Sequence, residues 1–262
     1  MRWNLMIPVL FWFIPVAAFG FQDAPKQSGD VYAFLNAVAL SYNNYHPQAR
    51  EEFQKYKQHH PDDLLSRLRM LYDRTSEVHF KDMDQTRYKD LLLEVDEAID
   101  LFEINACVGT DLAGIAENTI DCDYIGAALY SFRVALLAGN ESWRWKVVHR
   151  KVLRADDDKF FYHAKRSKSL QAQFLLGVHE NELSKSVLGG VTNDPNDRHE
   201  ALKLIRNSMK DGSPFADDIW FYVLRQEIDD PAVARSFPEV PPAVIIARLQ
   251  AKYPNQKYPS LK

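Results

Sequence analysis

Two histidines and two aspartates stand close together in the run 59–63, which reads His-His-Pro-Asp-Asp. Imidazole beside carboxylate is a donor set that divalent metal ions accept in proteins. Adjacent residues at a helix end point in different directions, however, so these side chains would not converge on one ion. The proline also stops a helix, and the aspartates favour the start of the next one. We therefore interpret the run as a helix boundary and predict no metal site there.

Two other runs carry metal-type residues without the spacing that a metal site needs. The run 179–182, His-Glu-Asn-Glu, lacks the second histidine four positions on that a helical zinc protease uses. The aspartates at 156–158 are consecutive, whereas a calcium loop alternates its ligands, and we interpret them as a helix N-terminus before Lys159. The local signatures of nucleophilic, phosphate-binding and dinucleotide chemistry are missing. The sequence predicts no catalytic residue, no metal and no cofactor.

A basic ridge is the clearest candidate for a binding surface. Lys146, Arg150 and Arg154 are spaced four apart, so they share one face of a helix predicted over about 142–154. A second stripe of that helix, predicted to be buried, consists of Trp145, Val148 and Val152. The ridge could hold an acidic partner or touch an anionic membrane surface. The alternative is a solvated helix face whose charges pair with nearby carboxylates.

The chain contains two cysteines, Cys107 and Cys122, which are fifteen positions apart. In an oxidising compartment such a pair can form a lasting disulfide. The alternative is two small buried thiols on separate helices, a common situation for reduced cysteine. We predict the bridge, because the intervening stretch could bring two helix ends together.

The N-terminus has the features of a signal peptide. Arg2 gives a positive start, an apolar run without charge extends from Leu5 to Phe19, and Ala18-Phe19-Gly20 places small residues at a cleavage site. The competing interpretation is an uncleaved membrane anchor, because a run that reaches Phe21 approaches the length needed to span a bilayer. We predict a signal peptide over 1–20, cleavage after Gly20, and a mature domain over 21–262 that is periplasmic or secreted.

Composition restricts the classes of protein that fit. Of the 262 residues, 26% are charged and 46% are hydrophobic, which is the balance of an ordinary globular protein. The formal net charge is −4. Proteins that bind nucleic acid usually present a basic face, so nucleic acid is not a predicted partner.

Apolar residues recur at helical spacing almost everywhere after residue 28, whereas alternating, strand-like runs are nearly absent. The pattern predicts an all-α protein in which short loops join antiparallel helices. The predicted helices cover about 29–42, 47–59, a segment starting at 62, 85–106, 121–138, 142–154, 167–187, 197–211, 214–227 and 241–253.

One helix carries a family resemblance. Tyr45, Ala49, Phe53, Tyr56 and Pro61 have the spacing of the second helix of a tetratricopeptide repeat, in which a small residue, a large apolar residue and a helix-ending proline recur. The same spacing returns at Ala201 and Ile205, and at Ile246, Leu249 and Pro254. The stretches 123–130 and 174–180 are similar to the middle of exported bacterial proteins of this class. The resemblance implies a right-handed superhelix of stacked hairpins, a concave face for protein contact, and no catalytic residues.

These features together predict an exported helical scaffold that binds another envelope protein or a peptide. Tyrosine is favoured at interfaces, and the predicted contact residues besides the ridge are Tyr42, Tyr45, Tyr88, Tyr124 and Tyr130. The alternative is a soluble enzyme or a small-molecule binding protein with a pocket between helices. An enclosed pocket with converging polar groups would favour this alternative, and an open groove would favour the scaffold.

Overall fold

The computed structural model describes residues 29–76, 83–105, 120–140, 149–185, 195–229 and 231–258, and within these ranges it contains helices and no strand. The predicted all-α class is confirmed. The helices are α1 Gly29–Tyr42, α2 His46–His59, α3 Leu64–Ser76, α4 Gln85–Asn105, α5 Cys122–Asn140, α6 Arg150–Arg166, α7 Leu170–Lys185, α8 Pro195–Ser208, α9 Ala216–Asp229, α10 Pro231–Ser236 and α11 Pro242–Lys252.

Neighbouring helices in the sequence are mostly neighbours in space, as in α1–α2, α4–α5, α5–α6 and α7–α8. Residues in the connecting turns determine where one helix ends and the next begins. Between α1 and α2, Asn44 has a φ of 63°, a left-handed conformation that asparagine adopts more readily than most residues. Pro47 then occupies the first turn of α2, where its missing N–H costs no helical hydrogen bond.

The residues that resemble a repeat helix form the packed face of α2. Ala49 and Phe53 are buried, and the Phe53 ring meets Phe34 of α1 edge-on at 5.9 Å between centroids. Ala37 on α1 is also fully buried, so small residues occur on both helices of this pair. Burial of these rings and methyl groups is the main stabilising contribution of the first hairpin.

Helix α6 differs from the predicted pattern. No helix starts at 156–158, because α6 runs without interruption from Arg150 to Arg166. Its buried stripe is Asp156, Phe160 and Ala164. Asp156 can lie inside because Arg133 of α5 contacts it at 3.2 Å, although burial still raises the pKa of this carboxyl. Val152, predicted to be buried, is 41% exposed. Trp145 and Val148, the other two residues of that predicted stripe, lie outside the described residues.

Contacts also join α1, the first described helix, to α9 and the residue before it. The Phe34 ring of α1 meets Phe215, just before α9, at 6.3 Å, and Tyr42 packs against Phe221 of α9 at 5.8 Å. In an open array of repeats each hairpin contacts only its neighbours. The contact of α1 with α9 therefore adds a closure that such an array lacks, and the predicted superhelix stays a prediction.

Among the described residues, no helix combines the length and the apolar character that crossing a bilayer requires. The predicted signal peptide at 1–20 lies outside the described residues.

The contact between α7 and α8 gives a direct test of close helix packing. An ideal Cβ on Gly177 would lie 2.7 Å from the carbonyl oxygen of Ala201 and 2.8 Å from a side-chain carbon of Ile205. We expect Gly177→Ala to lower the free energy of unfolding by about 1–2 kcal/mol, since the clash with a backbone oxygen places the overpacking cost in the upper part of the usual range of about 1–3 kcal/mol, while the helix propensity of alanine returns about 1 kcal/mol. Gly212→Ala, with nothing within 4 Å, is the control and should not lower stability in chemical denaturation. Equal stability of both variants would contradict this packing.

Candidate ligand-binding cleft

A cleft of about 520 Å³ lies where α1, α3 and α9 meet the segment 256–258. We call it the Arg69 cleft. Its walls come from the end of α1, the start of α2, α3, α9 and the C-terminal segment 256–258. The lining residues are Ser41, Tyr42, Asn44, His46, Arg69, Tyr72, Asp73, Asp218, Phe221, Leu224, Arg225, Gln256, Lys257 and Tyr258.

A buried arginine forms one wall of this cleft. The Arg69 side chain is only 4% exposed, and its Nη1 pairs with Asp218 Oδ2 at 2.5 Å. Tyr42 donates its hydroxyl hydrogen to the other Asp218 oxygen at 2.7 Å and accepts a hydrogen bond from Arg69 Nη2 at 3.1 Å. Three residues from α1, α3 and α9 thus form one closed network.

Aromatic rings surround the Arg69 guanidinium. Its central carbon lies 4.7 Å from the centroid of the Phe215 ring, 5.4 Å from Tyr42 and 5.6 Å from Tyr72. Burial raises the pKa of Tyr42 well above its usual value, and the neighbouring Asp218 carboxylate adds to the effect, while Arg69 opposes it. The buried Nε of Arg69 has no hydrogen-bond partner among the described residues.

A second polar network lies beside the first, because Asp73 follows Arg69 by one turn of α3. The Asp73 side chain is fully buried and contacts His46 Nδ1 at 2.8 Å and Arg50 Nε at 3.2 Å. The other ring nitrogen of His46 lies 3.2 Å from the Asn44 side-chain oxygen. The left-handed turn at Asn44 therefore also orients a residue of the cleft.

The last wall depends on Asp217, which precedes Asp218 in the first turn of α9. One Asp217 oxygen accepts hydrogen bonds from the Tyr253 hydroxyl at 2.7 Å and from Lys252 Nζ at 2.9 Å. Tyr258 in turn donates its hydroxyl hydrogen to the Tyr253 carbonyl at 2.9 Å. These bonds hold the segment after α11 against the cleft, where Lys257 is exposed at the mouth.

A second cleft of about 510 Å³, which we call the His163 cleft, lies between α4, α5 and α6. His163 Nδ1 contacts Asp123 at 2.7 Å. Gly126 leaves the space for this arrangement, because a Cβ there would lie 2.5 Å from the Phe102 ring and 3.0 Å from the His163 ring.

The polar side of the His163 cleft is a hydrogen-bonded group of three residues. Tyr130 donates to Glu103 at 2.6 Å, and Lys159 also contacts Glu103. The Lys159 and Tyr130 hydrogen bonds lower the pKa of Glu103. Burial and the Glu103 carboxylate raise the pKa of Tyr130 to about 12. In this cleft each carboxylate is therefore held by groups of the protein itself.

The five tyrosines predicted as surface contacts differ in how far they are buried. Tyr88 and Tyr124 are buried in the core and have no surface to offer a partner, because they lie on the apolar faces of α4 and α5. Tyr42 and Tyr130 are also buried, but each reaches a cleft. Only Tyr45 is exposed, at 41%.

The other predicted site residues lie elsewhere. Arg150 and Arg154 are exposed on the first half of α6, away from the lining of either cleft, while Lys146 lies outside the described residues. Cys122 begins α5 and lines the His163 cleft. Its predicted partner Cys107 is outside the described residues, so the bridge stays a prediction.

Arg69 and Asp218 were not predicted as site residues. A signal for Arg69 exists in the sequence, since it lies four positions after Leu65 and three before Tyr72, both members of the apolar stripe of α3. A charge on an apolar face indicates a buried partner. The identity of that partner, 149 residues away, has no local signal.

The network predicts a specific response to alkaline pH. Because burial raises the pKa of Tyr42 in the folded state, its contribution to stability is complete below the unfolded pKa near 10 and is lost as pH rises through the folded pKa. We expect Tyr42→Phe to lower the free energy of unfolding by about 2 kcal/mol at pH 7, since Asp218 and Arg69 each lose a hydrogen-bond partner. Above pH 10 the free energy of unfolding of the Tyr42→Phe variant should fall less steeply with pH than that of the wild type. Denaturant unfolding at several pH values measures this.

Tyr32→Phe is the matched control for this experiment. Tyr32 is on the same helix but is 61% exposed, and a surface change of this kind usually stays within about 0.5 kcal/mol. If Tyr42→Phe were as stable as Tyr32→Phe at pH 7, the Tyr42 hydroxyl would not contribute to the contact between α1 and α9.

No protein-family model matches this chain, and the comparisons with curated proteins and with solved structures also find no match. The residues of the two clefts and of the basic ridge are therefore the basis for inferring function.

Proposed function

We propose that this chain is an exported binding protein of the cell envelope that holds a small ligand in the Arg69 cleft. The proposal rests on the residues that line one space of about 520 Å³. They include the buried Arg69, the buried Asp73, the partly exposed Asp218 and several aromatic rings. Small-molecule sites usually have volumes of about 300–1,000 Å³, mostly apolar walls and a few placed polar groups.

The cleft is held in shape by contacts that involve no ligand. Asp218 and Tyr42 fix Arg69, and Asp217 fixes the segment after α11. A preformed site loses little conformational entropy when it binds a ligand, so more of the interaction energy remains as affinity. This supports binding by the cleft more than by a loosely ordered surface.

The proposal includes no catalytic step in the Arg69 cleft. A general base needs an oxygen or nitrogen that can reach the proton of a substrate. Both oxygens of Asp218 are engaged by Tyr42 and Arg69, and both oxygens of Asp73 are engaged by His46 and Arg50. These carboxylates act here as structural counterions.

The test uses two tryptophan variants of α1. Ser41 lines the cleft, whereas Asn36 is exposed on the same helix and does not line it. Native mass spectrometry of protein isolated from the periplasm should show an added small-molecule mass that denaturation removes. We expect Ser41→Trp to lose this mass, because the indole would occupy the cleft, and Asn36→Trp to keep it. An added mass that survives Ser41→Trp, or none in the wild type, would contradict the proposal.

A second candidate function, the helical scaffold for another envelope protein, is favoured by the basic ridge. Arg150 and Arg154 are one turn apart on α6 and exposed, and neither has an ion-pair partner among the residues that the structure describes. The alternative interpretation, a solvated face whose charges pair with nearby carboxylates, predicts ion pairs that these two residues do not show in the described part of the chain. In this proposal the ridge holds an acidic partner, and the helical hairpins stack in the manner of tetratricopeptide repeats.

Charge reversal separates the scaffold from the ligand-binding proposal. We expect Arg150→Glu with Arg154→Glu to keep the free energy of unfolding within about 0.5 kcal/mol, because both residues are exposed. Affinity capture of an acidic partner from envelope extracts should be lost, and wild-type capture should weaken as salt screens the charges. Lys89→Glu with Lys210→Glu, two exposed residues away from α6, is the control. If capture of the partner is unchanged by charge reversal and by added salt, the basic ridge is not the binding surface.

A further inference from the structure

We infer that the His163 cleft is a catalytic site that hydrolyses carboxylic esters carrying an aromatic group. This cleft shares no lining residue with the Arg69 cleft, so the inference does not depend on the function proposed there. It rests on a histidine whose two ring nitrogens have different surroundings, on two cationic side chains one helical turn away, and on the aromatic walls of the cleft.

The two nitrogens of the His163 ring differ in their contacts. Nδ1 contacts Asp123 Oδ1 at 2.7 Å, and the other oxygen of that carboxylate accepts a hydrogen bond from Arg166 Nε at 3.3 Å. Nε2 has no hydrogen-bond partner among the described residues, and it is not one of their buried atoms. Since His163 lines the cleft and its side chain is 17% exposed, Nε2 is the nitrogen that a molecule in the cleft can reach.

Asp123 determines which nitrogen of a neutral His163 ring carries the hydrogen. An ionised carboxylate only accepts hydrogen bonds, so the neutral ring keeps its hydrogen on Nδ1 and its lone pair on Nε2. A histidine that a carboxylate holds in this way has the arrangement of a general base, which removes a proton from a substrate or from water. His163 is therefore the proposed base, and Asp123 is a positioning residue.

Two cationic side chains lie one turn from His163 on the same face of α6. Lys159 precedes it by four residues, and Arg166 follows it by three. Among the described residues, Lys159 Nζ has two oxygen partners for its three hydrogens, and Arg166 Nη2 has none. The two side chains are 49% and 58% exposed. Their remaining N–H groups can stabilise an oxyanion that forms in this cleft.

Aromatic rings supply the apolar part of the cleft. The Tyr130 ring is parallel to the His163 ring to within 3°, with 6.1 Å between the centroids, and the Phe102 ring meets His163 edge-on at 5.1 Å. Tyr162 also lines the cleft and is 54% exposed. Aromatic groups pack on such rings through offset or edge contacts, so we expect the substrate to carry one.

The reaction needs only these side chains, the ester and one water molecule. His163 Nε2 removes a proton from the water, and the water oxygen forms a bond to the carbonyl carbon of the ester. The π electrons of the carbonyl move onto its oxygen, where the N–H groups of Lys159 and Arg166 stabilise the negative charge. The bond from carbon to the leaving oxygen then breaks, and His163 returns the proton to that oxygen. A carboxylic acid and an alcohol are released, and nothing is oxidised or reduced.

Two esters of similar intrinsic reactivity test the site in the wild-type protein. Benzyl acetate carries an aromatic ring, and cyclohexylmethyl acetate carries a saturated one. We expect hydrolysis of benzyl acetate to saturate with substrate concentration and to be about a hundredfold or more faster than with an equal concentration of free imidazole, since a positioned base contributes about 10²–10⁴-fold. The saturated ester should have a kcat/KM about tenfold lower, because it lacks the ring contacts. Chromatography of the released alcohol measures both rates.

His163→Asn separates the base from the contact with Asp123. The asparagine amide places an N–H near the position of Nδ1 and keeps a donor to Asp123, but it has no group at the position of Nε2. We expect kcat to fall by about 10²-fold or more while KM stays nearly constant. Asp123→Asn should also lower kcat more than it changes KM. The control is His199→Asn, an exposed histidine on α8, which should keep the wild-type rate.

Several outcomes would contradict this inference. A wild-type rate no higher than that of free imidazole excludes the catalytic site, and this result does not require any variant to fold. A folded His163→Asn protein with the wild-type rate excludes His163 as the base. An acetyl group on His163, detected by mass spectrometry, would show that Nε2 attacks the ester itself, and equal kcat/KM values for the two esters would exclude the aromatic preference. Ser41→Trp, which fills the other cleft, should keep the rate, so failure of one proposal does not affect the other.

Discussion

The ion pair between Arg69 and Asp218 is the interaction on which the closed form of this protein depends. An arginine that is 96% buried is tolerated only if its charge and its donors are paired, because removing a charge from water is costly. Asp218 supplies that pairing from α9, 149 positions along the chain, and Tyr42 of α1 binds both partners. Loss of either charged partner would leave the other uncompensated, and α1, α3 and α9 would lose their common polar contact. Asp217, the adjacent residue, holds Lys252 and Tyr253 at the end of α11 against the same turn of α9, so two consecutive carboxylates bind α1 and the end of α11.

The cleft is a consequence of that closure. Among the described helices most contacts are between neighbours in the sequence, and such local contacts require only a short connection to close. The Arg69 cleft differs, because its walls come from α1, α3, α9 and the C-terminal segment and exist together only after the ends have met. A ligand that binds these walls would therefore stabilise the folded form, by an amount that grows with the logarithm of its concentration once this exceeds the Kd.

The sequence predicted most of the described helices but not the long-range contacts that form the Arg69 cleft, and the physical reasons differ. Apolar periodicity and helix-ending residues are local, so α1 was predicted with the bounds Gly29–Tyr42 and α2 with an error of one residue. The error at α6 arose because the run 156–158 reads as a polar helix start, whereas Arg133 on another helix allows Asp156 to be buried inside a continuous one. Tyr42 was predicted as a surface contact, but its ring is buried and its hydroxyl bonds to a residue 176 positions away. Pairings over such distances leave no spacing pattern in a single sequence.

Closure also changes what the resemblance to a repeat protein implies. In an open stack of hairpins the concave face is available along its whole length, and binding is spread over several repeats. Here Phe34 and Tyr42 of the first helix are covered by Phe215 and Phe221, so this part of α1 is occupied by the protein's own C-terminal helices. The contact surface that an open array would offer at this point is replaced by a partly open cleft lined by Arg69, Asp73 and Asp218. A scaffold function therefore has to use outer faces such as the exposed start of α6, and a ligand-binding function uses the space where the two ends of the chain meet.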